Sequence, residues 1–254
     1  MPARNPTERF SDRVDNYVRY RPGYPPEVVD LLRRECGLTP QTVVADIAAG
    51  TGIFTRLLLE NGNRVFAVEP NAGMRQACEK NLAGFSRFTS VAGTAESTTL
   101  PDHSVKMITA AQAAHWFDRG RARQEFVRIL QPGGFTVLIW NERRTDSTPF
   151  LRDYEHMLMD YGTDYIEVRH ERTTAEIDAF FNPSPFREAE FGVRQRFDYA
   201  GLEGRLLSSS YVPASGHPRY AAMLQELSRM FEQYQQGGFV ELEYNTRVFY
   251  GKLN

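Results

Sequence analysis

At 254 residues, with 41% hydrophobic and 24% charged residues, the chain has the composition of a globular protein that buries one substantial core, which excludes a disordered or membrane-embedded class. Its 30 basic and 32 acidic residues leave a formal charge of −2, so no global field would draw it to a nucleic-acid backbone. The opening MPARNPTERF lacks the apolar centre of a signal peptide and no apolar run reaches bilayer length, so no membrane partner and a cytoplasmic location are expected.

Residues 11–20 (SDRVDNYVRY) predict a short helix capped by Ser11, and residues 25–36 (PPEVVDLLRREC) predict a second with proline at its start. Between them RPGYP makes a rigid turn that presents Arg21 and Tyr24 near Tyr17 and Tyr20. An arginine beside aromatic rings suits a ligand carrying a carboxylate and a cationic sulfonium; the alternative is a packed N-terminal arm.

Residues 43–55 (VVADIAAGTGIFT) are the centre of the chain. Val43, Val44 and Ile47 suit a buried parallel strand, and Ile53, Phe54, Leu57 and Leu58 recur at helical spacing. Gly50 and Gly52 lie between them, where a missing Cβ lets a ligand approach the N–H groups at a helix start. A second apolar run, Val65 to Val68, ends at Glu69 and Pro70, with Glu69 placed to accept from both hydroxyls of a ribose. The other reading of Glu69 is a solvated charge at a strand end. A dinucleotide fingerprint needs Gly or Ala where this chain has Thr55, which argues against NAD or FAD.

The stretch resembles motif I of the class I S-adenosylmethionine (SAM)-dependent methyltransferases, an acidic residue followed by spaced glycines. Asp46, Gly50 and Gly52 match it, and Ala48 stands at the family's first glycine, a change expected to matter little. The resemblance implies SAM as cofactor, S-adenosylhomocysteine as product, and a Rossmann-like, doubly wound α/β sheet of seven mostly parallel strands with an antiparallel last strand. The YRPxYP-like arm is similar to a subgroup of small-molecule methyltransferases akin to the type 11 and trans-aconitate enzymes, which favours cofactor contact for Tyr17 and Arg21.

Onward from Glu69, Asn71 caps a predicted helix from Ala72 to about Leu82, and residues 88–92 predict a third strand. In similar methyltransferases the following loop holds the adenine, which implies Ala95 and Glu96 as contacts here. Residues 105–111 predict the fourth strand, and Gln112, His115 and Trp116 follow its carboxyl end, where ligands of open α/β sheets bind. The resemblance assigns Gln112 to the cofactor and puts His115 and Trp116 near the reacting centre; a structural role for this histidine is the competing reading.

Asp118 caps a helix ending at LQPGG, another family turn, before a fifth strand over 135–140. Asn141, Glu142, Arg143 and Arg144 either line an acceptor pocket, with Arg143 orienting a small organic acid, or are loop charges. Helices are predicted at 149–161, 173–181 and 217–236, and strands at 188–197 and 239–251. The alternating Arg119, Arg121 and Arg123 read as a solvated helix face.

Cys36 and Cys78 form no disulfide framework, and His103, His115, His156, His170 and His217 have no ligand spacing, so no metal is expected. The whole is read as one domain, 1–254: a helical arm (1–40), a SAM-binding core (41–140), a helical lid insert (141–187), and sheet completion with C-terminal helices (188–254). The expected function is methyl transfer from SAM to a small-molecule acceptor, with a carboxylate as the candidate acceptor group. A SAM-binding sensor without transferase activity is the alternative.

Overall fold

The computed structural model describes residues 19–168 and 173–253. The proposed contact Tyr17 and most of the predicted first helix lie outside them.

Among the described residues, one sheet contains β1 Val43–Ile47, β2 Arg64–Val68, β3 Phe88–Val91, β4 Val105–Ala111, β5 Leu130–Arg143, β6 Phe186–Phe197 and β7 Val240–Gly251. Their spatial order is β3-β2-β1-β4-β5-β7-β6. Strands β1 to β5 are parallel, and β7 runs antiparallel between β5 and β6. The fold is the Rossmann-like α/β sheet expected, with its last strand reversed. The chain order switches direction between β1 and β4, and an open α/β sheet binds ligands beyond the carboxyl ends of its strands at such a point.

Both faces of the sheet are covered, which explains why its inner strands are apolar rather than alternating. Helices α1 Glu27–Cys36, α2 Ile53–Glu60 and α3 Ala72–Leu82 pack Leu32, Leu58 and Leu82 against Val44, Val65 and Ile139. On the opposite face, α4 Arg119–Ile129 contributes Phe126, which packs with Ile108, Leu138 and Trp140. Helix α5 Pro149–Tyr161 begins with a proline and a Thr148 cap, as helix starts favour.

Four departures from the sequence reading bear on the site. Strand β5 runs from Leu130 to Arg143 rather than over 135–140. LQPGG is a bulge inside that strand, made possible by Gly133 at φ 69° and by Gly134, whose missing Cβ would sit 2.8 Å from the Lys106 carbonyl. The same extension puts Asn141 to Arg143 in a strand instead of a loop. Helices α6 Tyr165–Val168 and α8 Tyr199–Leu207 were not expected, because short amphipathic segments give too little period to read. The predicted insert also divides: α7 Thr173–Phe181 packs Ile177 and Phe180 onto the α4 face, whereas α5 and α6 join α8 and α9 Tyr220–Tyr234 in a separate apolar cluster with Leu242 and Tyr244 of β7. The helices of residues 141–187 are therefore divided between two apolar clusters.

That cluster binds the chain's beginning to its end. An added Cβ at Gly204, on α8, would lie 2.1 Å from the Tyr20 ring. Helix propensity favours alanine over glycine by about 1 kcal/mol, but overpacking costs about 1–3 kcal/mol, so the clash should dominate. Gly204→Ala is expected to lower the urea midpoint; a midpoint at or above that of the wild type would show that the arm yields freely.

Candidate functional site

The turn after β1 is held from below by a buried carboxylate. Asp46 is 1% exposed, and its two oxygens accept from the hydroxyls of Thr109 at 2.7 Å and Thr55 at 2.6 Å. These bonds tie the end of β1 to β4 and to the first turn of α2. Asp46 was expected among the cofactor contacts; it lies beneath the turn, nearly inaccessible, and holds the turn in place through these bonds. Thr55, which argued against a dinucleotide, is the partner that makes this possible.

Above Asp46 the main chain passes through left-handed conformations at Ala48 (φ 54°), Gly50 (φ 57°) and Gly52 (φ 84°). Ala48 bears a backbone strain of about 1–2 kcal/mol that glycine would avoid, so the departure from motif I acts through the backbone more than through the added methyl's bulk. Gly50 has nothing within 4 Å of where a Cβ would be, whereas a Cβ at Gly52 would meet Leu82 and Cys78 at 2.7 and 2.8 Å. Gly52 is thus small for packing, and Gly50 leaves open space above the turn. No side chain caps α2, which begins here.

Glu69 faces that turn. The Gly50 N–H donates to its Oε2 and the Asn71 N–H to its Oε1, both at 2.9 Å. Burial pushes its carboxyl above the ordinary value, while those two N–H groups and Arg75 oppose the shift. A carboxylate has about four acceptor positions, so two remain for hydroxyls. Pro70 follows, with its carbonyl accepting from Arg75 at 3.3 Å.

Ala95 is buried in the loop after β3, which closes on itself through Thr94 and Ser97. Glu96, expected to meet the adenine amine, instead accepts at Oε1 from the Asp118 N–H, 2.9 Å away. It thereby ties this loop to the segment after β4, and this oxygen is engaged within the protein.

At the end of β4, Gln112 is left-handed (φ 58°), its N–H bonded to Ile139 O at 2.8 Å and its amide to Asn141 O at 2.8 Å. Non-glycine strain of this kind concentrates at functional sites. His115 and Trp116 follow on a short 3₁₀ turn, half-buried, with ring centroids 4.7 Å apart. Asn141 also donates to Gly23 O at 3.0 Å, so the arm crosses this end of the sheet, and Arg21 donates to Ser208 O at 3.1 Å. Arg21 thereby fastens the arm to the end of α8.

Arg143 was expected either to orient a small organic acid or to be a loop charge. It is largely buried rather than a solvated loop charge, ion-paired with Glu155 and lying 4.9 Å over the Tyr154 ring. Tyr165 and Tyr211 complete this region with ring centroids 4.9 Å apart. Arg205 of α8, absent from the sequence reading, is 5% exposed and donates to Tyr244, 3.1 Å away, and to Ser209, 3.1 Å away. Its signal was present: Leu202, Arg205 and Leu206 share one helix face, which puts a charge in an apolar stripe. Burial alone would raise the Tyr211 phenol, but Arg205, Arg21 and Arg143 outweigh it and bring the group below the ordinary tyrosine value.

Residues 45–138 match the family model described as a methyltransferase domain. An uncharacterized methyltransferase of Mycobacterium tuberculosis strain H37Rv is 40% identical over 134 residues, 53% of this chain and 52% of that protein. A Schizosaccharomyces pombe methyltransferase-like protein, also uncharacterized, is 26% identical over 244 residues, 94% of this chain and 93% of the other. A candidate type II methyltransferase from Anaeromyxobacter dehalogenans has the same fold, with a TM-score of 0.70 at 23% identity over 92% of this chain and 98% of that one. Over residues 45–138 the chain is similar to the methyltransferases. It matches the first-mentioned relative over about half of that relative's length.

The turn fits the cofactor of the methyltransferases it resembles on two observations: the open space over Gly50, and the acceptor positions left on Glu69 beside it. Asp46 beneath them has its carboxyl pushed up to about 6, by burial against the pull of Thr55 and Thr109. An acid whose pKa is raised on folding binds its proton more tightly when folded, so its contribution falls as pH rises from about 4 to 6 and stays lost above. Asp46→Asn should remove a decline on the order of 2–3 kcal/mol over that interval. Parallel stability–pH curves for the two proteins would show that Asp46 does not titrate there.

Proposed function

We propose that this chain moves a methyl group from SAM to a small organic acceptor, a carboxylate being the simplest case. The observation that carries the reading is the pairing of Gly50 with Glu69 at the switch point, under open space. Bound SAM supplies a methyl on a cationic sulfur that leaves with the bond's electron pair, as S-adenosylhomocysteine, when an acceptor lone pair attacks from the opposite side. In this reading Glu69 holds the ribose hydroxyls, Gly50 and Gly52 keep the turn close to the cofactor, Ala95 lies against the adenine, and Gln112 shapes the floor. His115 and Trp116 border the acceptor side, excluding water and offering one hydrogen-bonding ring.

Alignment and water exclusion of this kind can contribute about 7–11 kcal/mol, so a strong base is not required. A carboxylate acceptor supports that economy, since with an ordinary pKa of about 4 it carries no proton to remove at neutral pH. The balanced charge of the chain supports a small molecule over a nucleic acid as acceptor.

Glu69→Ala should weaken SAM binding by about 1.5–3 kcal/mol through loss of charge-assisted hydrogen bonds, measured by calorimetry. Unchanged affinity would remove Glu69 from the site. For the reaction, radiolabelled methyl from SAM should enter a small-molecule cell extract in a form that base releases as volatile methanol. Base-stable label would move the acceptor atom to an ether, amine or carbon. Binding of SAM with no transfer across extracts would favour a sensor.

A further inference from the structure

Arg143 and Arg205 converge on one region above the carboxyl end of β5. Arg143 is the register partner of Tyr244 on β7, and the Tyr244 hydroxyl accepts from Arg205 Nε at 3.1 Å. The Tyr154 ring lies against Arg143, and the charge of both arginines is felt at that ring and at Tyr211. Arginine does not lose its proton in proteins, so these are two permanent charges withdrawn from water.

Their compensation is incomplete. Glu155 neutralises Arg143 through Nη2, but Arg143 Nη1 is buried with no hydrogen-bond partner. Among the described residues no carboxylate pairs with Arg205; its recorded hydrogen-bond acceptors are the hydroxyls of Tyr244, Ser208 and Ser209. A buried guanidinium with neutral partners, beside a second guanidinium with an orphaned donor, is positive charge that an anion would match. Asn141 stands two residues before Arg143 on the same strand face, about 7 Å away, and is bonded to Gln112. The region therefore adjoins the carboxyl end of β4.

We propose that Arg205 and Arg143, with Tyr211 beside them, anchor an oxyanion of the acceptor, a carboxylate or phosphate that does not itself receive the methyl. This rests on the methyltransferase reading above. An oxyanion gripped by guanidinium donors has its lone pairs engaged and its charge matched, which makes it a poor nucleophile and a good handle. The acceptor is then an acid with a second, separate nucleophilic group. Arg205 is a specificity-determining residue in this account, and Glu155 positions Arg143.

The probe is inorganic phosphate, titrated at constant ionic strength while the melting temperature is followed. The wild type should gain stability with saturation in the millimolar range. Arg205→Gln should raise the half-saturating concentration about ten- to hundredfold. Ser209→Asp, which sets a carboxylate beside Arg205, should remove the dependence by supplying the anion internally, and decides the matter if R205Q fails to melt cooperatively. No saturable effect in the wild type, or the same effect in wild type and both variants, would overturn the proposal. S-adenosylhomocysteine binding is measured on the same samples: its loss from the wild type would defeat the methyltransferase reading, whereas retained binding with no phosphate effect would defeat the anion anchor alone.

Discussion

The burial of one carboxylate governs the geometry of the cofactor end. Asp46 is removed from water at the point where the sheet changes direction, and its two oxygens are matched by one hydroxyl from α2 and one from β4. Two elements far apart in sequence are thereby fixed relative to the end of β1, since displacing either would leave a buried charge without its donor. The left-handed turn over Ala48, Gly50 and Gly52 is built on that base, and Glu69 reaches across from β2 to bond its N–H at Gly50. Acidic groups so close together are held by N–H and hydroxyl donors rather than by cations, apart from Arg75 at the rim.

The other end of the region has the opposite electrostatic character. Strand β5, longer than its apolar core, carries Arg143 past the end of β4 into a cluster of tyrosines contributed by α5, α6, the segment after α8, and β7. Arg21 and Arg205 reach the same cluster from either end of the chain. An acidic cluster beside the glycine turn and a basic cluster beyond Asn141 give the strand ends polarity. Such polarity orients a molecule that carries different charges at its two ends.

The N-terminal arm joins the two. Asn141 holds Gly23, and Gly204 admits the Tyr20 ring against α8. The arm is therefore packed across the carboxyl ends of the strands, with Tyr20 seated against α8.

The strand and helix order of residues 43–129, the glycine turn and the acidic end of β2 were legible in the sequence. Each is a local feature, expressed by β-branched runs, helical spacing, caps such as Asn71 and Asp118, and glycines at the turn. The use of the charged side chains was not legible there, because it depends on partners brought together by folding. Asp46 turned inward because Thr109, sixty-three residues away, supplied a hydroxyl, and Glu96 turned to Asp118. Arg143 gained Glu155 from a helix packed over it, and Arg205 was drawn into the same cluster by the apolar residues on its own face of α8. A charge's role depends on what lies within a few ångströms of it, and that proximity is created by long-range packing that no local pattern encodes.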